Sequence, residues 1–236
     1  MKIAIHQPNY LPYLGFFHKI SLADVFVILD TVQFVKSGAL AWMNRNKMRT
    51  RQGYMWLTVP VLTKGRFPVI LKEALIDNSK DWKKKHFNSI YHNYHRAAYF
   101  GKYCKFFENL FKKEWKILSL LNEEIIRYLI KQLNISVKII KTSDLNIDGK
   151  GTQLLINICK RVGADEYIYG KHGEDYMELE KFQQNKIKLI PQNFQHPRYR
   201  QLYEPFIEDM SIIDLLFNEG ENSIKILREN IRIDDV

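Results

Sequence analysis

The sequence predicts an α/β fold: a mostly parallel, Rossmann-like sheet with helices on both faces and a helical insertion or cap. Three observations predict it. The chain opens with a short apolar run (Lys2 to Ile5), a helix-forming stretch (Tyr13 to Leu22) and a second apolar run (Val25 to Leu29). Strand, helix and strand within about 30 residues make a βαβ unit. Short apolar runs then keep alternating with helical patterns along the rest of the chain. Finally, 46% of the 236 residues are hydrophobic, enough to fill the core of a single domain spanning residues 1–236.

The first strand ends in His6-Gln7 and gives way to the turn Pro8-Asn9-Tyr10-Leu11-Pro12 before a helix begins near Gly15. Such a junction lies at the carboxyl edge of an open sheet, where ligands bind, and helix N-terminal amides there favour anions. Thr31 to Gly53 is polar, basic and punctuated by glycines, and reads as a long functional loop. Tyr54 to Val61 and Val69 to Leu75 read as strands joined by the turn LTKGRFP. Lys80 to Leu133 has helical spacing broken near Tyr99 to Gly101, and so forms the insertion or cap, at about 80–133. Ser136 to Ile140 reads as a strand, Gly151 to Gly163 as a helix, and Glu166 to Tyr169 and Ile187 to Ile190 as strands. A loop from Gln192 to Tyr203 follows. Ser211 caps a helix over Ile212 to Phe217, with another from Asn222 to Asn230.

The net charge is +10, from 36 basic and 26 acidic residues. It admits a nucleotide-sugar, an RNA or an anionic membrane surface as partner. Much of the excess lies in Lys80 to Lys116, where basic residues alternate with Trp, Tyr and Phe. Such a block can grip phosphates and stack on bases, or it can be the solvated face of aromatic-packed helices. No apolar run approaches the roughly 20 residues of a membrane span, and the N-terminus lacks a signal-peptide core, so the expected location is cytoplasmic, without stable membrane insertion. Cys104 and Cys159 read as buried structural thiols.

Four polar clusters are candidates for chemistry. His6 ends the first strand, with Gln7, Asn9 and Tyr10 beside it; a histidine there is a candidate acid or base. Asp30 ends the second strand and can orient His6 or hold a ribose hydroxyl, or else cap its own loop. Gln33 and Lys36 follow on that loop. The run WMNRNKMRTR offers Asn44, Arg45 and Asn46, since Arg matches phosphate oxygens and Asn reads hydroxyls or amides. After the Glu166 strand come Gly170, Asp175 and Tyr176. His196, held extended by Pro197, and Tyr199 form the last cluster. No CxxC, HExxH or calcium-loop spacing is present, so no metal site is expected, and neither a phosphate-binding P-loop nor a nucleophile elbow is found.

The blocks HQPNYLPYLGFFHKI, ADVFVILDTVQF and WMNRNKMRTRQGYMWLTVPV, together with HPRYRQLYEPFIEDMSIIDLLFNEG, resemble the WbqC-like family. The resemblance runs from Met1 to about Gly220. Family members occur in bacterial gene sets for O-antigen and other surface polysaccharides. The resemblance therefore implies a transferase that adds an aminoacyl or acyl group to a nucleotide-linked amino-sugar, with ligand contact by Arg45 and Asn46. The donor would be aminoacyl-tRNA, a thioester or an ATP-activated amino acid. His6, Asp30 and His196 are the expected catalytic residues, a histidine taking the proton as the sugar amine attacks the acyl carbon. The family has small polar residues where Lys171 and His172 stand, which leaves Gly170, Asp175 and Tyr176 as the ligand candidates of that loop. The N-terminal layout also resembles the HIGH-type nucleotidyltransferases at Pro8 and Gly15, but Tyr13 and Phe16 occupy the places of their paired histidines. Two other readings stay open: a non-catalytic nucleotide-sugar or glycan binding module, and an RNA-binding protein.

Overall fold

In the computed structural model, residues 1–38 and 41–229 are described. The elements in chain order are β1 (Lys2–His6), α1 (Leu14–Ser21), β2 (Val25–Ile28), β3 (Arg45–Thr50), β4 (Gly53–Thr58), α2 (Trp82–Tyr94), α3 (Phe100–Lys112) and α4 (Leu118–Gln132). Then come β5 (Lys138–Lys141), α5 (Gly151–Val162), β6 (Glu166–Tyr169), α6 (Leu179–Gln184), β7 (Lys188–Pro191), α7 (Ile212–Glu219) and α8 (Ser223–Glu229). The expected helix end at Asn230 lies outside the described residues.

Five strands form one parallel sheet in the order β5-β2-β1-β6-β7. Side chains of a strand alternate between faces, and the apolar sets follow that period. Ala4, Phe26, Ile28 and Ile168 join one core with Phe16, Phe17 and Ile20 of α1 and the apolar sides of α4, α7 and α8. Ile3, Ile5, Val25, Val27 and Tyr167 join a second core with Leu155, Ile158 and Cys159 of α5 and Phe182 of α6. Burial on both faces explains why these strands are almost wholly apolar. Gly163, in the left-handed region at φ 77°, ends α5 and releases the chain into β6. β1 leads out to β2 on one side and β6 to β7 on the other, so the crevice beyond the carboxyl ends of β1 and β6 is the topological switch point.

Helices α2, α3 and α4 contribute Tyr94, Phe107, Leu121 and Ile125 to the first core. Helices α2 and α7 pack against β3 of the antiparallel hairpin of β3 and β4, in which Lys47 faces Trp56 and Met48 faces Met55. Two expectations are corrected here. The stretch from Thr31 to Gly53 is not all loop, because its last third is β3. Its sequence, RNKMRT, hides the strand because Asn46 and Arg49 are buried along with Met48. Val69 to Leu75 is not a strand. Leu71 and Ala74 are buried three residues apart around a single 3-10 turn, with Lys72 and Glu73 facing out.

A buried polar network fixes the hairpin in place. The Arg49 side chain is 1% exposed. Its guanidinium donates to the carbonyls of Thr50, Gly53 (2.6 Å), Tyr203 (3.1 Å) and Pro205 (2.7 Å), and to Gln201 Oε1 (3.2 Å). Gln201 Nε2 in turn donates to Asp214 Oδ2 (2.8 Å), a carboxylate that also accepts from Tyr199 (2.7 Å) and Tyr94 (2.9 Å). The Tyr94 hydroxyl accepts the Arg49 amide (2.9 Å). Burial pushes the Asp214 carboxyl up, while the three donors and Arg49 pull it back.

Removing one member of such a network leaves a charge buried without its counterpart, which costs about 3–5 kcal/mol. Arg49→Met is therefore expected to lower the urea midpoint by that equivalent with an unchanged m-value. A loss under about 1 kcal/mol in the same titration would show that the network contributes little to stability.

Candidate functional site

A cleft of about 590 Å³ opens between the β3–β4 hairpin, the loop after β2 and the start of α2. This is within the range of small-molecule sites. Trp82, Lys85, His86 and Ser89 line it from α2, at the helical spacing i, i+3, i+4, i+7. The hairpin supplies Trp56 and Thr58, and the loops supply Phe34, Lys36, Asn44 and Thr63. Lys80 stands at the entrance to α2. No carboxylate belongs to the lining. Lys80 lies 3.8 Å from Asp77, whereas among the described residues neither Lys36 nor Lys85 has a carboxylate within ion-pair distance. The cleft is thus a cationic, aromatic-walled site.

The loops leaving the sheet reach this cleft. The Tyr10 hydroxyl hydrogen-bonds to His86 Nδ1 at 2.8 Å. Burial lowers the His86 pKa to about 4, so the ring is neutral near pH 7. Asn122 of α4, fully buried, donates to the carbonyls of Pro8 (2.8 Å) and Met43 (2.7 Å), clamping the turn after β1 to the strand entrance of β3. Asn46 points inward and donates to the Leu11 carbonyl (2.6 Å). Asn44 donates to the Val59 carbonyl (2.9 Å) at the cleft wall. Arg45 lies over the Trp56 ring, 4.7 Å from its centre. Asn9 is buried in the same turn, and Gln33 lies on the β2 exit loop in a bridge with Ile70.

A second group lies at the switch point. Extending the β1–β6 register sets Gly170 opposite His6, next to Gln7. His6 Nδ1 donates to the Gln7 carbonyl (2.9 Å), and the ring packs edge-on against Phe16 at 4.9 Å. Burial and the nearby Lys19 charge lower its pKa to about 3. Lys19 is itself buried, donates to the Ile5 carbonyl (3.1 Å), and is lowered by burial to about 7. Gln192, just beyond β7, donates to the Gly15 carbonyl (2.7 Å), and Phe194 packs so closely on Gly15 that a Cβ would lie 3.0 Å from the ring.

The remaining candidates spend their polar atoms on the turns around them or stand on exposed loops, although His196 also packs on Phe194. The Asp30 carboxylate accepts from Thr142 Oγ1 (2.8 Å), the Ser143 amide (2.9 Å) and Ser143 Oγ (2.6 Å), and so holds the β2 exit against the turn after β5. His196 Nδ1 donates to the Pro197 carbonyl (2.8 Å) and Nε2 accepts the Asp209 amide (3.2 Å), fixing the loop after β7. Tyr199 belongs to the Asp214 network. Asp175 pairs with His172 at 3.1 Å on an exposed loop, and Tyr176 beside it is 65% exposed. The α2 lining residues Trp82, Lys85, His86 and Ser89 fall within the basic-aromatic block Lys80 to Lys116 but were not named one by one, and Trp56 and Thr58 of the hairpin were among those not singled out at all. The helical spacing within KDWKKKHFNS was the signal that could have found the α2 members.

The low histidine pKa values set an acid limit. Both rings would ordinarily titrate at 6.5. Between pH 6.5 and about 3 the unfolded chain holds protons that folded His6 and His86 refuse, so stability falls on acidification and is fully restored above 6.5. His86→Gln should flatten the decline of the urea midpoint between pH 6.5 and about 4. An unaltered slope would mean that His86 is protonated as readily in the folded protein.

The family model described as the WbqC-like protein family matches residues 7–226. The chain is also 36% identical, over 230 residues, to an uncharacterized protein of Mycobacterium tuberculosis, Rv1507c, covering 96% of this chain and 97% of that one. No solved structure matches. Among the described residues, no helix is long and apolar enough to cross a membrane, and no cluster of His, Cys, Asp and Glu has metal-binding geometry.

Proposed function

The chain belongs to the WbqC-like protein family, and from that premise we propose that it is a cytoplasmic transferase attaching an aminoacyl or acyl group to a nucleotide-linked amino-sugar in surface-polysaccharide biosynthesis. One observation carries the reading: the cleft places Lys36, Lys80 and Lys85 around the walls of Trp56 and Trp82 with no carboxylate in the lining. Ammonium groups balance a diphosphate, and indole faces stack on a base or the apolar face of a sugar. In the reaction the sugar amine attacks the activated acyl carbon. The new amide N–C bond forms as the acyl–oxygen or acyl–sulfur bond breaks, the leaving group keeps its electron pair, and the amine proton passes to a base.

The donor is an aminoacyl-tRNA, a thioester or an ATP-activated amino acid. His6 is the histidine assigned to the proton transfer, because among the described residues its Nε2 has no hydrogen-bond partner. With a pKa lowered to about 3 it is a weak base, one that passes the proton on rather than holding it. Asp30 and His196 support the site at one remove, by fixing the β2 exit loop that carries Lys36 and the loop after β7. A non-catalytic nucleotide-sugar binding module is the second reading. It is favoured by His86, the histidine of the cleft lining, whose Nδ1 is committed to the Tyr10 hydroxyl.

A saturating nucleotide-linked amino-sugar is expected to raise the melting temperature, in line with about 2.7 kcal/mol at a hundredfold excess over Kd. Lys85→Ala should weaken that binding about tenfold. His6→Gln should abolish transfer while retaining binding. Binding by the wild type with no turnover for any of the three donor classes selects the binding module. No response to any nucleotide-sugar rejects the cleft as their site.

A further inference from the structure

The outward face of the β3–β4 hairpin carries a row of charges and rings. Arg45, Lys47 and Arg49 share one side of β3, and the register sets Lys47 opposite Trp56 and Arg49 opposite Tyr54. Arg49 is covered by the chain around Gln201 and Pro205, but Arg45 and Lys47 are only partly buried. The Arg45 guanidinium lies 4.7 Å over Trp56, and the Lys47 ammonium lies 5.0 Å from the centre of Tyr54 and 5.7 Å from that of Trp56. Tyr54 is 50% exposed and Trp56 37%. The aromatic row continues from Trp56 to Trp42 at 5.4 Å and on to Tyr13 at 6.4 Å. Among the described residues, no carboxylate forms an ion pair with Arg45 or Lys47. Trp56 also lines the cleft, so the two surfaces are continuous.

The pairing of cations with exposed rings selects among ligands. Cation–π contacts hold the two basic groups in fixed positions facing solvent, where a polyanion releases counterions on binding. Tyr54, half exposed beside the Lys47 ammonium, leaves ring surface for stacking, which a base provides only when it is not paired in a duplex. A neutral glycan would use the rings and leave the charges idle. A duplex would use the charges and leave the rings idle.

We propose that this hairpin face binds a single-stranded RNA segment and leads its end past Trp56 into the cleft. The binding stands on the hairpin alone. Its role, carrying the acyl group as an ester on the terminal ribose, rests on the transfer reaction proposed above. In that role the ester acyl–oxygen bond breaks as the amide N–C bond forms. The ribose oxygen leaves with the electron pair and is protonated, and the amine proton goes to the base.

The test is fluorescence anisotropy of a short labelled single-stranded RNA against the same sequence as a duplex, alongside calorimetric titration of a nucleotide-linked amino-sugar. The expected result is a single-strand preference of at least about tenfold. Tyr54→Ala is expected to weaken RNA binding about tenfold, with Tyr54→Phe close to wild type. Lys47→Gln should reduce the log–log salt slope by about one. Neither position lines the cleft, so sugar-nucleotide affinity should be unchanged in both variants. Equal affinity for single strand and duplex, an RNA affinity unmoved by Tyr54→Ala and Lys47→Gln, or no RNA binding at all would overturn the proposal. If RNA binds as described while no nucleotide-sugar does, the hairpin assignment stands and the acceptor reading of the cleft fails.

Discussion

The buried guanidinium of Arg49 is the constraint on which the molecule's working surface depends. An arginine inside a protein is tolerated only when its donors and its charge are both answered. Here four backbone carbonyls and Gln201 answer the donors, and Asp214, reached through Gln201, answers the charge. The members come from β3, the turn to β4, α2, the chain after β7, and α7. Segments remote in sequence are therefore fixed against one another by directional bonds rather than by apolar contact alone. Arg49 shares its side of the hairpin with Trp56 and Thr58, so the network anchors the strand pair whose β4 residues form a cleft wall.

The electrostatics of the cleft follow from what lines it. Lysines without carboxylates in the lining create a field that favours anions. Burial keeps His86 uncharged beside them, which spares the site a further buried cation. The same argument holds at the switch point, where Lys19 and burial together keep His6 neutral. The protein thus separates permanent positive charge, at the open cleft, from neutral imidazoles in its interior.

The parallel sheet was legible in the sequence because strands buried on both faces read as unbroken apolar runs, as in IAI and VFVI. The polar termini of those strands were legible for the same reason, and the β1–β6 register, extended by two residues, sets Gly170 opposite His6. Of the hairpin only β4 was legible, as the strand read over Tyr54 to Val61; β3 was not, since it buries Asn46 and Arg49 in hydrogen bonds that no hydrophobic pattern records. The cleft was missed with it: its walls come from the hairpin and α2, and only tertiary packing brings them together. Lys36 and Asn44 were found as polar loop residues, whereas Trp56 and Trp82 read equally well as core. Asp30 and His196 illustrate the converse limit. Their spacing fits chemistry, but hydrogen-bond geometry assigns their polar atoms to the turns around them.

Amide hydrogen exchange with and without a nucleotide-linked amino-sugar tests the central claim, that the ligand site is the cleft formed by the hairpin and α2. Ligand-induced slowing is predicted for amides across residues 53–58 and 80–89. Slowing confined to residues 6–10 and 169–173, with the hairpin and α2 unaffected, would place the ligand at the switch point and contradict the account.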